Sequence, residues 1–111
     1  MSILKEAKAL IKNPENWCVQ SYARDKHGSP VMVGDSTAVK FCSLGALYIV
    51  GVRSANAEKT KAKAYLNTAA KRIAQKSMIQ ANDHVGHEKV MEIFDLAICM
   101  EECENEHTAK S

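Results

Sequence analysis

A chain of 111 residues, 46% hydrophobic and 25% charged, has the size and composition of one globular domain. That excludes extended disorder, a collagen-like repeat and a disulfide-stapled miniprotein, and a formal net charge of +2 is too small to name a partner. No apolar run reaches the roughly 18 residues of a membrane span, and residues 1–16 hold three lysines without a long apolar stretch, so neither a spanning helix nor a secretory leader is expected.

Ser2 is placed to cap a first helix over residues 3–12, with Ile3, Leu4, Ala7, Leu10 and Ile11 on one face and the lysines on the other. Asn13-Pro14 ends it, because proline disfavours helix at the residue before it. Trp17, Val19 and Tyr22 favour strand, Asp25-Lys26-His27-Gly28 signals a turn, and Pro30 to Val33 can return. Residues 17–33 therefore read as a short β-hairpin, with Pro30 on an edge.

Gly34 breaks the chain, and Asp35 or Ser36 is placed to cap a second helix over about 36–52. Ala38, Phe41, Cys42, Gly45, Tyr48, Ile49 and Val52 follow helical spacing, and Val39, Leu44, Ala46, Leu47 and Val50 fill most of the remaining circumference. A helix apolar nearly all round is expected at the centre of the fold. Gly45 costs about 1 kcal/mol relative to alanine in a helix, so a close packing contact is expected there.

A third helix is expected over 56–77, with Ala62, Tyr65, Leu66, Ala69 and Ile73 as its apolar stripe. Its polar side carries Arg53, Lys59, Lys61, Lys63, Lys71, Arg72 and Lys76 against Glu58 alone. Residues 81–86 read as a loop, and a fourth helix over 87–102 carries Val90, Ile93, Phe94, Ala97 and Ile98. That helix is acidic, with Glu88, Glu92, Asp95, Glu101 and Glu102 against Lys89. The fold class expected is mainly α: four helices in one domain, 1–103, packed around the central apolar helix, with the hairpin between the first two and a polar tail over 104–111.

The basic helix has two readings. The first is a solvated face that pairs with the acidic helix. The second is nucleic-acid binding, which is not expected, because Tyr65 is the stripe's one aromatic and no stacking pattern, Gly-rich loop or helix-turn-helix accompanies it. Cys18, Cys42, Cys99 and Cys103 form no C-x-x-C pair and are expected to be reduced thiols in a cytoplasmic setting. Cys99, Cys103 and His107 recur every four residues on one helical face, but structural zinc draws its four ligands from two segments, so no metal is assigned.

Two blocks carry a resemblance. One is Trp17-Cys18, Ala23-Arg24-Asp25, Gly28, Val31, Ala38-Val39 and Phe41-Cys42-Ser43-Leu44-Gly45-Ala46-Leu47. The other is Asn82-Asp83, Gly86-His87, Val90 and Phe94-Asp95-Leu96-Ala97-Ile98. Together they resemble an uncharacterised family of small bacteriophage and bacterial proteins, catalogued as a domain of unknown function, over residues 3–98. Members of that family often carry an aromatic before the Asn-Asp pair and a proline in the following turn, where this chain has Ala81 and Val85. The resemblance implies a fold shared across phages and a phage or prophage origin, hence a host-cell cytoplasm. It implies no activity.

The polar residues of these blocks admit a structural and a functional account. Structurally, Asp25 closes the hairpin turn, Asn82-Asp83 caps or turns the chain, and Asp95, mid-helix, pairs with Arg24. Functionally, Trp17, Tyr22, Arg24, Asp25, Asn82, Asp83 and His87 converge as a ligand site, with stacking from Trp17 or Tyr22 and an anion at Arg24 and the helix start near His87. On that account the protein is a non-catalytic module that captures a nucleotide-like anion, and a phage could use it to remove a signal of host defence. The alternatives are docking of the basic helix on an acidic protein or a second copy, and a small hydrolase using His84 or His87 with Asp83. The hydrolase lacks a convincing nucleophile, since Ser43 lies within an apolar helix. No cofactor is implied.

Overall fold

Ser2 caps the first helix as its sequence position suggests: its Oγ accepts from the backbone N–H groups of Leu4 and Lys5 at the start of α1 (Ile3–Ile11). The structure is a computed structural model that describes the backbone of residues 2–52 and 54–110 and side chains as far as Glu104. Arg53 and His107, assigned above to the basic helix and to the cysteine face, lie outside the described residues and side chains respectively. Ile3, Leu4, Ala7 and Ile11 bury one face of α1, and Asn13 then caps a single 3-10 turn over Pro14–Asn16.

The expected hairpin is present with shorter strands, residues 18–22 forming a loop where a strand from Trp17 was expected, and it is part of a larger sheet. β1 (Ala23–Arg24) pairs antiparallel with β2 (Pro30–Val31), and also with β3 (Lys40–Phe41), giving the order β2-β1-β3. Gly28, at φ 83°, makes the turn between β1 and β2, and Pro30 sits on an edge strand, where its missing N–H is not needed. A parallel bridge from Trp17 to Phe41 ties the segment after α1 to β3.

β3 corrects the expected second helix. α2 runs Ser43–Val50 rather than 36–52. Residues 36–39 form a turn and an extended stretch, and residues 40–41 pair with β1. Cys42 is the true cap, its Sγ accepting from the Gly45 N–H at 3.2 Å. The apolar run was read with one period although it crosses a strand and then a helix.

The third helix, α3 (Asn56–Ala74), ends where Gln75 turns left-handed at φ 59°. The supposed loop at 81–86 is mostly α4 (Met78–His84), capped by Ser77, with Met78 N–H also held by Asn67 Oδ1 at 2.9 Å. Gly86, at φ 89°, leads into α5 (His87–Lys110), so the backbone of the polar segment after Cys103 continues the helix. There are thus five helices among the described residues, not four.

One core unites these elements. Leu4 and Ile11 of α1, Ala46 and Leu47 of α2, Leu66 and Ala70 of α3, Met78 of α4, and Ile93 and Phe94 of α5 pack together with Ala23 and Phe41 of the sheet. α2 packs against α1, α3 and α4, but it is not buried all round: Tyr48 is 56% exposed. Its outer side, beside α3, is therefore open.

Candidate functional site

Asn82 is the hub of the polar cluster. It is buried in α4, and its Oδ1 accepts from the indole N–H of Trp17 at 2.7 Å and from the backbone N–H of Ser43 at 3.0 Å. Its Nδ2 donates to the carbonyl of Cys18 at 3.1 Å and to Asp83 Oδ1 at 3.3 Å. Both acceptor directions and both amide hydrogens are thereby used. Asp83 Oδ1 also accepts from the Gln20 N–H at 2.8 Å. The Trp17 ring meets the His87 ring edge-on at 5.4 Å, and His87 Nε2 donates to the Ile11 carbonyl at 2.7 Å. Trp17, Asn82, Asp83 and His87 are therefore brought together.

Arg24 and Asp25 serve the sheet. Arg24 does not meet Asp95: its Nη1 donates to the Gly28 carbonyl at 2.8 Å and its Nη2 to the Val19 carbonyl at 3.0 Å. Asp95 is exposed and pairs with Lys8 at 2.6 Å. Asp25 Oδ1 accepts from the N–H groups of His27 and Ser29, closing the turn as an Asx motif. Asp25 makes no hydrogen bond to the Asn82 cluster among the described residues.

Tyr22, by contrast, is 53% exposed, at the end of a loop over residues 18–22 that crosses the start of α2. The loop lies against Gly45 so closely that a Cβ there would stand 2.1 Å from the Tyr22 carbonyl oxygen. This is the close contact expected of that glycine. The same carbonyl accepts from the Cys42 N–H at 3.2 Å.

Tyr22 forms one wall of a groove of about 340 Å³ on the open side of α2. Leu44, Leu47 and Val33 give it an apolar lining, Tyr48 joins Tyr22 as a second aromatic, and Lys59 and Lys63 contribute from α3. The Lys59 stem packs over Gly51 at the end of α2, with Cγ 3.0 Å from where a Cβ on that glycine would be. Among the described residues neither Lys59 nor Lys63 forms an ion pair. Among the described residues the expected pairing of the basic and acidic helices is limited to the ion pair of Lys61 with Glu104 at 3.7 Å, while Glu102 of α5 pairs with Lys5 of α1. An apolar groove with two tyrosines and two unpaired ammonium groups can hold a planar ring and an anionic group at once.

The sequence reading places Lys59 and Lys63 on the basic face of the third helix and Tyr48 on the apolar second helix, and joins none of them to a ligand pocket. Tyr48 was counted with the core, although its hydroxyl is a reason for a wet edge. Lys59 and Lys63 are an i,i+4 pair of like charges, which costs a helix a little stability, and that is a signal worth weighing.

The thiols divide into two kinds. Cys18 and Cys42 are buried, and burial raises both: Cys18 is pushed up to about 11, with the neighbouring Cys42 adding to the shift, and Cys42 is raised in the same direction. Cys99 and Cys103 are exposed on α5. No group of three metal-ligating side chains occurs among the described residues, and no described helix is long and apolar enough to cross a membrane.

No curated protein and no solved structure matches the chain. One family model does, that of the family of unknown function DUF6197, over residues 1–99, and the chain belongs to that family.

Proposed function

We propose that the protein is a non-catalytic binding module that captures a ring-bearing anion of nucleotide size in the groove between α2, α3 and the loop over residues 18–22. The observation that carries this is the conjunction of Tyr22, Tyr48, Lys59 and Lys63 around a mainly apolar space of about 340 Å³. Tyrosine faces take a base or other flat ring by stacking, at about 1–3 kcal/mol per base. Lysine meets phosphate or carboxylate as a point charge, without the fixed fork that arginine imposes. The module is read as non-catalytic because the groups a hydrolase would use are withdrawn: Ser43 Oγ is buried without a partner, and His87 Nε2 is held by a backbone carbonyl. Carried by a phage, an origin that the family resemblance implies, such a module would remove a nucleotide signal from its host.

A second reading has an observation of its own. Met32 is 82% exposed and lies beside Val33 and Tyr22, so the apolar strip continues past the groove over the sheet. An acidic protein segment would cover such a strip while its carboxylates met the lysines. Calorimetric titration with nucleoside mono-, di- and cyclic phosphates tests the first reading. Saturable binding that weakens at least tenfold in Lys59→Glu/Lys63→Glu supports it, and no heat with any of them overturns it.

A further inference from the structure

We infer that Arg24, Asn82 and Asp83 are positioning residues for the groove, acting through the loop that carries Tyr22; this rests on the groove being the binding site. Three successive residues of that loop are each held by a different side chain. Asn82 Nδ2 donates to the Cys18 carbonyl at 3.1 Å, Arg24 Nη2 donates to the Val19 carbonyl at 3.0 Å, and Asp83 Oδ1 accepts from the Gln20 N–H at 2.8 Å. The side chains come from α4 and β1, so the loop is anchored to two elements of the core.

The loop needs such holding. It has no regular hydrogen-bond ladder, and Gln20 sits at φ 63°, a left-handed backbone that a non-glycine residue adopts only when its surroundings impose it. Beyond Gln20, the Ser21 hydroxyl donates to the Ala23 carbonyl at 2.8 Å and Tyr22 is fixed by the Cys42 N–H. Tyr22 thus reaches the groove on a backbone whose path is set residue by residue. An ordered wall costs less entropy on binding than one that must be ordered by the ligand.

Asp83 offers the cleanest test, because it is only half-buried and its Oδ1 makes the contact. Asp83→Asn keeps an acceptor oxygen, and Asp83→Ala removes it. The probe is 8-anilinonaphthalene-1-sulfonate, an aromatic anion whose fluorescence reports binding, titrated alongside amide hydrogen exchange of residues 18–22. The expected result is a five- to tenfold weaker Kd and faster exchange at Gln20 and Tyr22 in Asp83→Ala, with Asp83→Asn within twofold of the parent in both. Probe binding that is saturable and lysine-dependent in the parent but unchanged in Asp83→Ala overturns the positioning role alone. Failure of the parent to bind the probe saturably, or binding indifferent to Lys59→Glu/Lys63→Glu, overturns the groove reading and the positioning role with it.

Discussion

At the scale of single residues, the polar side chains that the sequence singles out are spent on backbone. From α4, Asn82 joins the adjacent Trp17 and Cys18 to Ser43 at the start of α2, segments far apart in the chain. Asn82→Ala strands a half-buried indole N–H together with a buried backbone N–H and carbonyl, and we expect a loss of roughly 2–4 kcal/mol in denaturant unfolding. Gly45→Ala brings a methyl group against the Tyr22 carbonyl, so the loop must move; the expected cost is roughly 1–3 kcal/mol, read as a melting temperature lower by about 4 °C per kcal/mol. The cysteines give a third check. Alkylation at pH 8 should modify two thiols rapidly, Cys99 and Cys103, and all four only after unfolding, because Cys18 and Cys42 are buried and protonated. With the folded-state pKa of Cys18 raised to about 11 against an ordinary 9.0, its contribution to stability is complete below pH 9 and is lost as pH rises through about 11.

At the scale of elements, legibility followed the strength of local signals. α1 was readable because Ser2, a periodic apolar face and Asn13-Pro14 mark start, middle and end. The expected second helix is too long because Val39 to Val50 is apolar apart from Lys40 and Ser43, and periodicity cannot separate a buried strand from a buried helix over so short a run. α4 was missed because no glycine or proline separates it from α3: Gln75 takes the left-handed turn that glycine usually marks. The basic α3 is where element and function meet. Reversing Lys59 and Lys63 should weaken anion binding at least tenfold with a change of less than about 1 kcal/mol in stability, since ammonium groups without ion-pair partners contribute little and only the half-buried Lys59 stem packs, on Gly51. The same holds in reverse for Lys8→Ala, which breaks the pair with Asp95: we expect a loss below about 1 kcal/mol, measured by chemical unfolding, and no effect on binding.

At the scale of the whole molecule, one core built from all five helices leaves one side of α2 open beside a row of lysines. The sequence reading gathers Trp17, Tyr22, Arg24, Asp25, Asn82, Asp83 and His87 into one site; of these Trp17, Asn82, Asp83 and His87 meet, while Asp25 closes its own turn and Tyr22 faces the groove. It did not announce the groove, whose lining comes from the loop at Tyr22, the β2–β3 connection at Val33, α2 and α3. Such a surface exists only after folding; each residue in it, read alone, is an ordinary core or surface residue. The most direct measurement is a titration of the 15N-labelled protein with a nucleoside monophosphate, followed by amide chemical shifts. The account predicts saturable shifts centred on Tyr22, Val33, Leu44, Tyr48, Lys59 and Lys63; shifts centred instead on the Asp25–Ser29 turn and on His84 to His87, or none at millimolar ligand, would contradict it.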